Sequence, residues 1–165
     1  MLHTRLATPD DTTLWRALRR DGIVRYPSVF IPSLEEHDAT PVAQDAENLA
    51  RGDRVLAFQD TTPIGLAGLN LYPGRASHRA EIGPFYIIPD AQGSGAAATL
   101  MEALVALAPS LGIWQLELAV NEDNPRAIAL YLRHGFIQIG RIPNALIGKD
   151  GPEHDLLMLR NLPRP

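Results

Sequence analysis

The chain contains no cysteine, which excludes disulfides, a thiol nucleophile and cysteine-based zinc sites. It also has no excess of positive charge: 15 Lys and Arg stand against 19 Asp and Glu, a formal net charge of −4. That balance argues against nucleic acid or an anionic membrane as the main partner, and it permits an amine-bearing substrate. No uninterrupted apolar run approaches the ~20 residues of a membrane helix, and Met1-Leu2-His3-Thr4-Arg5-Leu6 carries no signal-peptide core, so a soluble cytoplasmic protein is expected. The five histidines are scattered without metal-ligand spacing, and no metal site is expected. Repeats, linkers and low-complexity segments are missing as well. What is present is 165 residues, 45% hydrophobic and 21% charged, the composition of one domain (1–165) with a real core.

Punctuation along the chain divides it into elements. Leu2 to Ala7 reads as a strand. Asp11 to Arg20 reads as a helix, with acids at its start, Arg19-Arg20 at its end, and Asp21-Gly22 as the stop. Ile23 to Pro32 reads as a loop. Ser33 with Glu36 forms a capping-box pattern for a second helix, with Pro41 as a candidate break after which it resumes to about Ala50. Arg54–Gln59 and Ile64–Tyr72 form a hairpin, and His78–Ile88 is a third strand interrupted by Gly83-Pro84, the mark of a bulge or an edge. A helix follows from Ala97 to about Pro109, then a strand at Trp114–Val120. Asn124 at the N-cap and Pro125 at N1 open another helix that Gly135 closes. Strands at Phe136–Ile142 and Leu156–Arg160 complete the order β-α-α-β-β-β-α-β-α-β-β, a mixed α/β (α+β) sheet of about seven strands with about four helices.

The most informative segment is Tyr86 to Ala97. An apolar strand ends at Pro89, a loop with Gly93 and Gly95 follows, and an alanine- and leucine-rich helix begins. Such a turn aims free backbone N–H groups and the positive end of the helix dipole at one place, a site for phosphate or pyrophosphate. The same residues fit the dinucleotide fingerprint G-x-G-x-x-A over Gly93–Ala98, although half the chain and an antiparallel hairpin precede it, unlike a first βαβ unit. A helix start that binds nothing is the plain alternative.

The later pieces add specificity. Pro-x-x-Gln-Gly-x-Gly-x-Ala, a helix, a strand ending in Val120-Asn121, and Asn124-x-x-Ala127-x-x-Leu130-Tyr131-x-x-x-Gly135-Phe136 together resemble the GCN5-related N-acetyltransferase (GNAT) superfamily over Ala80 to Gly140. The resemblance implies a sheet splayed in the middle and an acetyl-CoA co-substrate, with its pyrophosphate at Gln92, Gly93, Ser94, Gly95, Ala96 and Ala97. It also implies pantetheine along Phe85, Tyr86 and Ile87, and a cofactor contact from Asn124, whose plain role is the helix cap. Ser94 stands where a basic residue is common and Ala96 where a branched one is, so phosphate binding would rest on backbone donors and the Ser94 hydroxyl.

Tyr131 is the implied proton donor to the departing thiolate; its plain alternative is a core aromatic. Glu81 is the candidate general base, against an exposed sheet charge, and strand alternation puts it on one face with Gly83 and Phe85 unless the bulge shifts it. His78, His134 and His154 are weaker alternatives for the base. The Ile87 N–H is the preferred donor to the thioester carbonyl. The function implied is direct acetyl transfer to a primary amine of a small molecule, amino acid or peptide, bound between the N-terminal helices, the Tyr26–Phe30 loop and the apolar, acid-dotted Asn144–His154 connection. A catalytically silent CoA-binding module and a dinucleotide enzyme are the rivals, and a homodimer is left open.

Overall fold

Alternation of apolar residues builds the strands of the computed structural model, which describes residues 1–164. The elements are β1 (Leu2–Leu6), α1 (Thr12–Arg25), α2 (Leu34–Ala39), α3 (Val42–Leu49), β2 (Arg54–Gln59) and β3 (Thr62–Leu71). There follow β4 (Arg79–Ile87), α4 (Ala96–Leu107), β5 (Gln115–Asn121), α5 (Pro125–Arg133), β6 (Ile137–Gly148) and β7 (Gly151–Asn161). The strands form one sheet in the order β1-β2-β3-β4-β5-β7-β6. Every neighbouring pair is antiparallel except β4 and β5. Among the described residues no helix is long and apolar enough to cross a membrane.

The sheet separates two apolar layers. Leu69, Ala80, Ile82, Ile87, Leu116 and Leu118 pack on the side of α4 and α5, with Leu100, Leu104 and Tyr131. Leu56, Phe58, Leu66 and Tyr86 pack on the other side, with Trp15 and Leu18 of α1 and Leu49 of α3. Strands covered on both faces bury residues of both parities, which is why β2 and β3 read as near-continuous apolar runs.

Three expectations are corrected. Helix α1 does not stop at Asp21-Gly22 but runs to Arg25. Gly22 lies inside it for contact rather than termination: a Cβ there would sit 2.6 Å from the Phe30 ring and 3.1 Å from that of Tyr86. Second, β6 and β7 extend through most of the Asn144–His154 connection, turning only at Lys149-Asp150. A register shift between Ile142 and Leu146, with Asn144 at φ 55°, breaks the alternation that would have marked the strand.

Third, the Gly83-Pro84 bulge changes the parity of β4. Ala80 and Ile82 precede it on the α4 side, and Phe85 and Ile87 follow it on the same side. Glu81 therefore faces the α1 side, with Tyr86, and not the side of Phe85.

The β3–β4 contact is tight at Gly65, where a Cβ would lie 2.6 Å from the backbone oxygen of Tyr86 and 2.5 Å from Ile87 Cδ1. A backbone oxygen held in a ladder cannot rotate away. Gly65→Ala is expected to destabilise the fold by about 2 kcal/mol, lowering Tm by roughly 5 °C in a thermal melt. An unchanged Tm would show that β4 yields freely.

Candidate active site

The fork in the sheet makes the site. β4 and β5 pair only at Arg79–Gln115, Ala80–Leu116 and Glu81–Glu117. Beyond Glu81 they diverge, while β5 stays paired to β7 through Asn121. The Ile88 N–H donates to Ile64 O at 2.9 Å, so alternation turns the Tyr86 backbone toward β3 and the Phe85 and Ile87 backbone toward the gap. Phe85 and Ile87 thus stand at the gap. Tyr86 contributes only its side chain, whose hydroxyl donates to Asp21 Oδ2 at 2.5 Å. The gap opens into a cleft of about 860 Å³ reaching from the Gly93–Gly95 loop to Arg19 and Arg54.

At the loop, Gly93 and Gly95 take φ of 84° and 93°. Only glycine adopts these values without strain, and they turn the chain so that α4 starts with its amides facing the cleft. Among the described residues the Ala97 and Ala98 amides have no partner from outside the helix, whereas Ala96 N–H donates weakly to Ser94 Oγ at 3.3 Å. The Ser94 hydroxyl gives its one proton to Ala91 O at 2.7 Å, so here it fastens the loop. Gln92 is a brace: its Nε2 donates to Tyr26 Oη (3.1 Å) and Ile87 O (3.4 Å), and its Oε1 accepts from Arg126 Nη1 at 2.9 Å.

Arg126 is the residue that sequence reasoning missed. It stands in the first turn of α5, and its Nη2 lies 3.7 Å from where a Gly93 Cβ would be. The fold supplies from α5 the cation that the loop itself lacks. A signal was present: Asn124 caps α5, accepting from Ala127 N at 3.1 Å, so a basic residue two positions on belongs to the same helix mouth.

Tyr131 is 8% exposed and stacks edge-on against Phe85 (6.3 Å) and Phe136 (5.9 Å). Burial alone pushes its phenol up to about 12, and among the described residues its hydroxyl has no hydrogen-bond partner. Glu81, half-buried where the strands part, is raised above the usual carboxylate range by burial first and by Glu117 second. Glu117 is held as an anion by Arg79 (2.5 and 2.8 Å) and Gln115 (2.7 Å), so the repulsion on Glu81 persists. A second carboxylate, Asp155, lines the cleft from β7 and is raised by burial and by Glu153. Glu153 ties the walls together, accepting from Ser28 Oγ (2.8 Å) and Asn121 Nδ2 (2.6 Å). His78 stacks on Trp114 at 4.3 Å, His134 Nδ1 lies 2.9 Å from Leu130 O, and His154 Nδ1 accepts from Asn144 N at 3.0 Å. These contacts tie all three alternative bases to other groups, and none of the three lines the cleft.

The chain has relatives among known proteins. An uncharacterized N-acetyltransferase of Mycobacterium tuberculosis is 35% identical over 82 residues, 50% of this chain and 51% of that protein. A mycothiol acetyltransferase of Pseudarthrobacter chlorophenolicus is 36% identical over 88 residues, 52% of this chain and 24% of that protein. The matches thus span about half or less of these curated relatives. An acetyltransferase of the GNAT family from Streptococcus pneumoniae superposes with a TM-score of 0.86 at 20% identity, over 99% of this chain and 100% of that one. A putative acetyltransferase from Salmonella typhimurium, solved with its cofactor acetyl-CoA, gives 0.84 at 16% identity, over 99% and 95%. At such identities the structural likeness establishes the fold. The sequence model of the acetyltransferase (GNAT) family matches residues 15–136, from the first turn of α1 to just past α5, and the chain belongs to that family.

Proposed function

We propose that this chain transfers an acetyl group from acetyl-CoA to a primary amine, with both bound at once in the forked cleft. The observation that carries this reading is that one cleft joins the Gly93–Ala98 amides and Arg126 to the β4–β5 gap, Glu81 and Tyr131. The residues fit the co-substrate. Positive-φ glycines leave room for a pyrophosphate on the α4 amides, Arg126 neutralises part of its charge, and the outward-facing backbone of Phe85 and Ile87 can pair with an extended amide chain.

Acetyl-CoA supplies an activated acyl carbon on a thiol leaving group. Glu81 accepts a proton from the acceptor ammonium, freeing the nitrogen lone pair that forms the C–N bond. The Ile87 N–H donates to the acyl oxygen as negative charge gathers there. As the C–S bond breaks, its electron pair stays on sulfur and Tyr131 gives the sulfur a proton. The buried phenol, near 12, and a thiol at its solution value of about 8.5 differ by roughly 3 to 4 units, about 5 kcal/mol uphill. The gap narrows in the cleft, because the burial that holds the phenol protonated also destabilises a thiolate formed beside it.

An acceptor screen over amines, amino acids and peptides, following free CoA, tests the reading. Acceptor-dependent release of CoA supports it, and no release with any acceptor, despite acetyl-CoA binding, favours the silent module. Arg126→Ala is expected to raise the KM for acetyl-CoA roughly 10-fold, the worth of one charge-assisted hydrogen bond. The salt dependence of that KM should flatten, with acceptor KM unchanged. Equal KM in variant and wild type would assign Arg126 to bracing Gln92 alone.

A further inference from the structure

We propose that the acceptor carries an oxyanion as well as its amine, and that Arg19 and Arg54 bind that oxyanion at the end of the cleft away from the loop. The inference rests on the transferase reading and narrows its acceptor.

Both side chains line the cleft. Arg19 comes from α1, and its side chain is 21% exposed. Its nearest carboxylate oxygen is Asp45 Oδ1 at 3.8 Å, beyond hydrogen-bond reach, and Asp45 is already engaged by Arg16. Among the described residues the Arg19 guanidinium has no hydrogen bond, although each of its five N–H groups is a donor. Arg54 opens β2 with its side chain 11% exposed. It lies over Gly68, whose missing Cβ makes the room, since a Cβ there would come 2.5 Å from Arg54 Cδ. It donates to Leu69 O, to Asp53 O (3.3 Å) and to Asn70 Oδ1 (2.8 Å), and it pairs with Asp53 Oδ1 at 3.1 Å.

Arg16, Arg19 and Arg54 thus face two carboxylates, Asp45 and Asp53. The set keeps one positive charge in excess, and burial, with Arg51 and then Arg19 nearby, disfavours the charge on Arg54. Asp45 is shared by Arg16 and Arg19, and only Asp53 pairs with Arg54, so this desolvated cluster is one counter-ion short. A ligand oxyanion supplies one, and a guanidinium fork matches a carboxylate or phosphonate.

Position ties this subsite to the chemistry. Asn70 accepts from Arg54 and sits opposite Glu81 across the β3–β4 ladder. The bulge that turned Glu81 to the α1 side places it on the same face as Arg54 and Asn70. Neither arginine is among the groups that shift Glu81, so the base and the cations are separate. An acceptor that puts its amine at Glu81 and its oxyanion at the arginines spans the two. Acids were expected around the acceptor, but at this end of the cleft the free charge is positive.

The test is a matched panel: α- and ω-amino carboxylates, the corresponding aminophosphonates, the carboxamides, and simple amines lacking the acid, each assayed by CoA release at saturating acetyl-CoA. The wild type should use one of the two anionic classes with kcat/KM at least ~10-fold above its neutral counterparts, and the better class identifies the oxyanion. Arg19→Met, which breaks no hydrogen bond of the fold, should raise KM for the anionic acceptor roughly 10- to 100-fold. It should leave kcat, the KM for the carboxamide and the KM for acetyl-CoA near their wild-type values. Arg54→Lys keeps the charge but loses the fork and should give a smaller rise of the same kind. Equal kcat/KM for anionic and neutral partners, or turnover of neutral amines alone, overturns the proposal and leaves the transferase reading standing. No turnover with any member while acetyl-CoA binds also overturns it, and failure to bind acetyl-CoA overturns the reading beneath it.

Discussion

Tyr131→Phe is expected to lower kcat by about 100-fold or more, with the KM values for acetyl-CoA and acceptor close to wild type. The phenyl ring keeps the edge-on packing against Phe85 and Phe136, so the cleft retains its shape. Only the proton donor is lost, and the departing thiolate must then take its proton from water. Because the hydroxyl has no hydrogen-bond partner among the described residues, its removal leaves no buried group unsatisfied, and Tm should stay level or rise slightly. Stopped-flow release of CoA together with a thermal melt reads both effects. A kcat within twofold of wild type would reduce Tyr131 to a packing residue.

The second large effect is on the base. Glu81→Gln should lower kcat/KM at neutral pH by roughly 100-fold and remove the acid limb that Glu81 imposes on the pH–rate profile. The base works ionised, so wild-type activity should fall as pH drops through a value raised above the usual carboxylate range by burial and by Glu117. Stability should move the opposite way. A raised folded pKa means that Glu81 favours the fold fully below its unfolded pKa and loses that contribution as pH rises through the folded value. Glutamine, always neutral, keeps the contribution. The variant should therefore melt higher than wild type at pH 7 and alike in acid, the pattern of a site strained for function. Asp155→Asn is the control: if it, and not Glu81→Gln, abolishes the acid limb, the base sits on β7.

How much of this was legible depended on whether the signal was local. Capping at Ser33 and Asn124, the breaks at Pro41 and Gly135, and the Gly93–Gly95 loop are short-range features, and the elements they bound stand where expected. Gly22 was misread because a helix-stopping glycine and a close-contact glycine look alike until Phe30 and Tyr86 are packed on it. The face of Glu81 depended on how the bulge resolved, and one extra residue inverts every side chain beyond it. Arg126 and Gln92 are 34 positions apart, and Arg19 and Arg54 come from a helix and a strand that only the folded chain brings to one cleft. Net acidity gave no hint of them, since charge composition carries no information about which charges are left unpaired.

The α4 amides and Arg126 are the proposed seat of acetyl-CoA. The most direct test is a thermal-shift titration comparing acetyl-CoA with NAD, since a ligand that binds only the native state stabilises it by about 2.7 kcal/mol at 100 times its Kd. Acetyl-CoA should raise Tm saturably, less so in Arg126→Ala, and NAD should not raise it. Stabilisation by NAD with no response to acetyl-CoA would contradict that seat.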